Sequence, residues 1–241
     1  MSLQGKTVLI TGGARRIGRS LALAVAEQGA SVVIHFNHSR EAAEEAQAEI
    51  RAIGRDAHIV QADFRDPQAA VRMFNEARAR GPIFALINNA AIFEHLTLKD
   101  TTLQNWDRHL AINLTAPFFL SQAFSESLAP EEEGRIVNLL DWRALRPGSD
   151  HLPYTISKAA LVAVTQSLAI ALAPQITVNG LALGAVLPPS DGADTVGILN
   201  QVPMRRWAML PEVAEALQFL LEGPRYITGE VIHVDGGRHL V

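Results

Sequence analysis

Short apolar runs rich in β-branched residues recur along this chain: TVLIT from Thr7, ASVVIHF from Ala30, AHIVQAD from Ala57, FALINNA from Phe84, RIVNLL from Arg135, ITVNGLAL from Ile176 and VIHVDGG from Val231. Helical patterns of ten or more residues separate nearly all of them. A helix between two strands returns the chain to the end it started from, so the strands must run parallel. The runs also lack polar alternation, as expected of strands covered on both faces. The expectation is one α/β domain over residues 1–241, a doubly wound sheet of about seven parallel strands with helices on both sides. With 48% hydrophobic residues the chain can fill such a core, and no linker, repeat or charge block divides it.

The formal net charge is -4 and the Lys and Arg residues are scattered, so no basic stripe for nucleic acid is present. Cysteine is absent, which excludes disulfides, thiolate metal sites and a cysteine nucleophile, and no metal site is expected. The amino terminus enters a strand at once, without the basic and apolar regions of a signal peptide. The run AALVAVTQSLAIALA is shorter than a membrane span and contains Thr165, Gln166 and Ser167. A cytoplasmic protein with no membrane partner is expected.

Ligands of doubly wound sheets bind outside the carboxyl ends of the strands. After the first run comes TGGARRIG, Thr11 to Gly18, followed by a helical pattern. Gly12 permits the tight turn and Gly18 permits close helix-to-strand packing. The helix amino terminus, at Arg16 and Ile17, offers N–H groups to a pyrophosphate. The second run leads into HFNHSR, where an acid would accept from the ribose hydroxyls of NAD and repel a 2′-phosphate. This chain has instead Asn37, His38, Ser39 and Arg40, with Arg16 projecting from the glycine turn, so the charges favour NADP(H). Ser39 also suits the N-cap of the next helix, and Asp63, just before Phe64, suits the cap of the helix containing Pro67. Tyr154 and Lys158 stand four apart in a helical pattern, share a face, and read as a proton donor and its tuner. The strand upstream ends in Asp141, where such a pair normally has a short hydroxyl side chain beside it.

TGGARRIG, NNAA from Asn88 to Ala91, Asn113 in LAINLTAP, Tyr154-x-x-x-Lys158 and YITGEVIHVDGG occur in this order over nearly the full length. Together they resemble the short-chain dehydrogenase/reductase family. The resemblance implies a Rossmann-type domain, a nicotinamide dinucleotide and a homotetramer or homodimer. It makes Tyr154 the proton donor, with Lys158 binding the nicotinamide ribose and lowering the tyrosine's pKa by its charge. It has Asn113 hold a water in a proton relay and puts Asp63 and Phe64 at the adenine. Asn89 and Ala90 would lie along the cofactor, largely through their backbone. A substrate loop is implied at about residues 184–206.

Departures from the common pattern narrow the resemblance. Arg16 replaces the second of three glycines, Leu183 replaces the proline of a Pro-Gly pair, and Asp141 stands where the catalytic serine aligns. Pteridine reductases and bacterial dihydromonapterin reductases share the arginine and the aspartate, and the ending VDGGRHLV is similar to the latter. Phe93 falls where pteridine reductases have an aromatic that sandwiches the pterin, whereas Ala91 replaces a serine of the parasite enzymes. An ionised aspartate would repel the alkoxide of ketone reduction, but reduction of a C=N bond requires a proton on nitrogen, which a carboxyl can help deliver. The expected activity is NADPH-dependent reduction of a dihydropterin or dihydrofolate. The alternatives are a carbonyl reductase of ketones or 3-oxoacyl substrates, and a non-catalytic NADP-binding scaffold or sensor.

Overall fold

A computed structural model describes residues 3–188 and 195–241. Seven strands form one sheet in the order β3-β2-β1-β4-β5-β6-β7. They are β1 (Thr7–Ile10), β2 (Ser31–Phe36), β3 (Ala57–Gln61), β4 (Ala85–Asn88), β5 (Gly134–Asp141), β6 (Ile176–Leu183) and β7 (Val231–Val234). Every neighbouring pair is parallel, with Val8 opposite Val32 on one side and Ala85 on the other. The order reverses at β1, so a crevice opens beyond the carboxyl ends of β1 and β4, where the glycine turn and Asn89 emerge.

Helices α1 (Arg16–Glu27), α2 (Arg40–Ala52) and α8 (Leu210–Glu222) cover one face, burying Leu21, Val25, Ile50 and Leu217 against β1, β2 and β6. The other face carries α3 (Pro67–Arg78), α5 (Ala116–Glu126) and α6 (Leu152–Ala171), with Phe74 and Phe124 meeting edge to face at 6.3 Å. Strands β1, β2, β4, β5 and β6 are buried almost throughout, as their lack of polar alternation requires. A short α7 (Thr195–Asn200) follows β6. The expected substrate loop, 184–206, includes residues 189–194, which lie outside the described residues.

Two caps differ from expectation. Asp66, immediately before Pro67, accepts from Gln68 N–H and caps α3, leaving Asp63 free of that role. Ser39 occupies the N-cap position of α2 but its hydroxyl makes no capping bond. Helix α4 (Leu103–Leu110) begins with a Thr102/Asn105 capping box and runs through a π-helical turn, Ala111–Thr115, into α5. Helix α6 is 20 residues long, more than the apolar run predicted, and by length and composition alone could cross a bilayer. Its Tyr154, Ser157, Lys158, Leu161 and Thr165 are buried in this chain, so it is a core helix here.

Candidate active site

The glycine turn is built around an absent side chain. Gly12 has φ +62°, and a Cβ on Gly18 would stand 2.2 Å from Gly12 O and 2.6 Å from Asn89 Nδ2. Asn89 Nδ2 donates to Thr11 O at 2.8 Å and to Gly12 O at 3.1 Å, tying the turn to the end of β4. The N–H groups of Asn89 and Ala90 both point at Thr11 Oγ1, at 2.9 and 3.0 Å. Of their backbone groups, only the carbonyls therefore remain for a ligand. Arg16 adopts φ +52°, the left-handed conformation that glycine would take, at a cost of about 1 kcal/mol. Its guanidinium reaches Pro188 O at 3.4 Å, so it spans from the glycine turn to the loop after β6.

His35, which in the sequence is one more residue of a strand, holds this turn from behind. Gly12 N–H donates to its Nδ1 at 3.1 Å, so Nε2 carries the proton and donates to Ala62 O at 3.1 Å. Its ring stacks on Phe64 at 4.1 Å. Burial lowers its pKa from 6.5 to about 4, so the ring is neutral. One side chain thus couples the ends of β1, β2 and β3.

A cleft of about 440 Å³ runs from Asn37, Ala62 and Phe64 past Arg16, Ile17 and Gly18 to Asn89, Ala90 and Phe93. A second depression, of about 730 Å³, adjoins it at Arg16, with Arg15, Arg19, His38, Ser39 and Arg40 on its walls. Two acids, Glu41 and Glu45, share that wall, and Arg19 pairs with Glu45 at 3.0 Å. Asp63 is held by Arg65, whose Nε donates to Oδ2 at 2.7 Å, and that hydrogen bond keeps its pKa low. A larger hollow of about 820 Å³, bordered by Leu128, Gln175 and Arg225, lies at the opposite ends of β5 and β6, away from the crevice.

Beyond Phe93 stand Asp141, Tyr154 and Lys158. β5 continues to Asp141, and α6 begins two residues before Tyr154, so strand end and helix start bring the two side chains together. Tyr154 O–H donates to Asp141 Oδ2 at 3.0 Å, and Arg143 N–H donates to Oδ1 at 2.8 Å. Lys158 Nζ donates to Leu139 O at 2.6 Å. Burial raises the Asp141 pKa against the opposing pull of Arg143, Tyr154 and Lys158, while burial lowers Lys158 to about 8. Tyr154 is pushed well above its usual value of 10.0 by burial and then by the Asp141 charge. Arg143 is the cation that opposes this rise, and Lys158 Nζ lies 5.9 Å from the ring centroid.

Asn113 is fully buried, and both its amide hydrogens are engaged, by Ile92 O at 3.0 Å and Ser157 Oγ at 3.1 Å. Its Oδ1 accepts from Ile92 N–H at 2.9 Å. The side chain therefore locks the Ile92 backbone beside α6, and a second Oδ1 lone pair is what it has left for a relay water. Phe93, next in the chain, is 54% exposed and meets Tyr154 edge to face at 4.6 Å. One face of its ring carries His151, stacked at 4.1 Å, and the Arg143 guanidinium lies 5.8 Å from its centroid. His151 and Arg143 were not singled out from the sequence. Neither belongs to a spacing pattern, and only the fold brings them to Phe93.

The family model described as enoyl-(acyl carrier protein) reductase matches residues 12–239. A 3-oxoacyl-[acyl-carrier-protein] reductase, FabG, of Staphylococcus aureus is 33% identical over 244 residues, covering 98% of each chain. FolM alternative dihydrofolate reductase 1 from Brucella canis, solved in complex with NADP, superposes with a TM-score of 0.93 at 36% identity, covering 100% of this chain and 97% of that one. A short-chain dehydrogenase from Burkholderia cenocepacia, also in complex with NADP, gives 0.93 at 38% identity and covers 99% of each chain.

Proposed function

The chain belongs to the short-chain dehydrogenase/reductase family, and from that footing we propose that it is an NADP(H)-dependent reductase of a dihydropterin- or dihydrofolate-type C=N bond. The Tyr154 O–H to Asp141 Oδ2 contact of 3.0 Å carries this reading. A carboxyl whose pKa is raised by burial keeps its proton closer to neutral pH, and that proton can pass to a substrate nitrogen directly or through the phenol. A ketone oxygen, by contrast, is served by a neutral hydroxyl, and whenever this carboxyl ionises it would repel the negative charge developing there. The likeness to an alternative dihydrofolate reductase supports the same substrate class.

The residues present fit the cofactor. The Gly12–Gly18 contact leaves no room for side chains where a pyrophosphate would approach, and no acid stands at the end of β2. Gly12, Ile17, Gly18, Asn37 and Phe64 would line the dinucleotide, with Arg16, His38, Ser39 and Arg40 around a 2′-phosphate. Asp63, joined to Arg65, would reach the adenine only at its edge. When bound, the nicotinamide supplies a hydride to carbon. Tyr154 and Asp141 would hold the proton for nitrogen, and Lys158, lowered to about 8, would bind the ribose and help return a proton from solvent. Phe93 offers its remaining exposed surface to a flat ring.

Reduction of a 3-oxoacyl substrate is the second reading, favoured by the FabG relative. The assembled Asp141, Tyr154 and Lys158 group argues against a purely cofactor-sensing scaffold, which has no need of a proton donor. NADPH oxidation measured with dihydropterin, dihydrofolate and 3-oxoacyl substrates separates the three. Turnover confined to the 3-oxoacyl substrate would replace the first reading by the second, and no turnover with any of them would favour the scaffold.

A further inference from the structure

Two loops form the mouth beside Phe93: the segment after β4, which carries Phe93 and His95, and the segment before α6, which carries Asp150 and His151. They are already joined twice, by Leu152 N–H to Leu96 O at 2.9 Å and by His151 Nδ1 to Glu94 O at 2.9 Å. The second bond fixes a tautomer. A carbonyl can only accept, so Nδ1 carries the hydrogen and the Nε2 lone pair is presented on the other side of the ring. That lone pair lies 3.6 Å from Asp150 Oδ2, and the His95 ring stands at 85° to His151 with centroids 5.0 Å apart. One ligand atom from each of the three residues lies within 4.8 Å of the others. His151 is held at φ +50°, in the left-handed region, so the backbone is bent to aim this ring.

We infer that His95, Asp150 and His151 form a binding site for a zinc-class divalent cation at the mouth of the active site, and that filling it clamps the two loops together. Two imidazoles and one carboxylate suit Zn²⁺ or Co²⁺ and leave a fourth position for water, whereas Mg²⁺ and Ca²⁺ prefer all-oxygen sets. The hydrogen bond from Nδ1 to a backbone carbonyl is the usual outer support of a metal-binding histidine. The Arg143 guanidinium competes for Asp150, but at 3.5 Å it makes a loose pair that a divalent ion can displace. His95 is exposed, with a ring nitrogen within 4.8 Å of the other two ligand atoms. Because His151 is stacked on Phe93, the clamp would also fix the aromatic at the mouth.

The test uses tag-free protein titrated with Zn²⁺ by calorimetry and with Co²⁺ by visible absorption, neither of which depends on the substrate assignment. One ion per chain should bind, and His95→Ala should weaken it at least ~10-fold, since even loss of an outer supporting group commonly costs that much. Asp150→Asn should weaken it as well. Absence of saturable binding, or equal affinity in wild type and both variants, would overturn the site. Zn²⁺ should also slow NADPH oxidation by the wild type and leave His95→Ala unaffected, with equal metal-free rates for the two. Tight binding without inhibition would overturn the clamp while leaving the proposed reaction untouched.

Discussion

Replacing Asp141 by Asn tests the proton-donor pair with little change of shape. The amide oxygen can still accept Arg143 N–H, which now bonds Oδ1 at 2.8 Å, so the turn after β5 keeps its anchor. What disappears is the acidic proton and the negative charge beside Tyr154. A hydrogen bond involving a charged group is worth ~1.5–3 kcal/mol, or roughly 10- to 150-fold, and a positioned general acid contributes about 10²–10⁴-fold. The expected loss in dihydropterin turnover is therefore on the order of 10²-fold or more, with NADPH affinity changed by less than ~3-fold. Tyr154→Phe should cost about as much, and the double variant should be far less than multiplicatively worse, because the two groups act as one donor. The pH profile supplies a sign. Burial raises the Asp141 pKa, so its acid form persists toward neutral pH and wild-type kcat falls as pH rises through that ionisation. Asp141→Asn should lack this limb, and Asp141→Ser should lose pterin turnover while any ketone activity holds or rises. Full pterin turnover in Asp141→Asn, or losses that multiply, would refute a shared proton donor and promote the carbonyl-reductase reading.

NADPH should bind more tightly than NADH, and Arg16→Ala should reduce that preference ~10-fold, the worth of one charge-assisted contact; fluorescence titration of both cofactors measures it. His35 should make stability pH-dependent. Its folded pKa is depressed from 6.5 to about 4, so its contribution is complete above pH 6.5 and is lost as pH falls through about 4. On the order of 3 kcal/mol should vanish across that window in denaturant titrations, and a His35→Asn variant should show no such slope. The protein should assemble as a homotetramer or dimer, since Phe118 and Phe119 of α5 and Ile156 and Ile170 of α6 are exposed; a monomer in light scattering at all concentrations would exclude it.

How much was legible depended on whether a residue acts through its neighbours in sequence. Strands buried on both faces, the glycine turn and the Tyr154–Lys158 spacing are local patterns, and each lies where the periodicity put it. Asp66 was a readable cap, because a proline at the first helical position makes its predecessor the N-cap, yet Asp63 offers a second acid close by and competes for the same role. His35, Arg143 and His151 were illegible for another reason: their partners are 23, 50 and 57 residues away, or are rings met only in three dimensions. The left-handed Arg16 was half legible: it stands where the family pattern has a glycine, although propensity alone does not assign that conformation to arginine. The electrostatics of Tyr154 turned on depth of burial, which spacing does not report.

The π turn at Ala111–Thr115 makes the rod from Leu103 to Glu126 sensitive to length rather than to identity. One added residue advances the phase of the downstream helix by about 100°, so α4 can turn its packed side toward α6 while α5 sends Leu120 and Phe124 into the core beside α3. Exchanging a side chain within the turn alters only its own contacts. Deleting one residue would turn the downstream positions by about the same angle, take Leu120 and Phe124 off the core face, and draw Asn113 away from Ile92 and Ser157. For homologues of this chain, the expectation is that a one-residue insertion or deletion in this segment disturbs the site more than a substitution does.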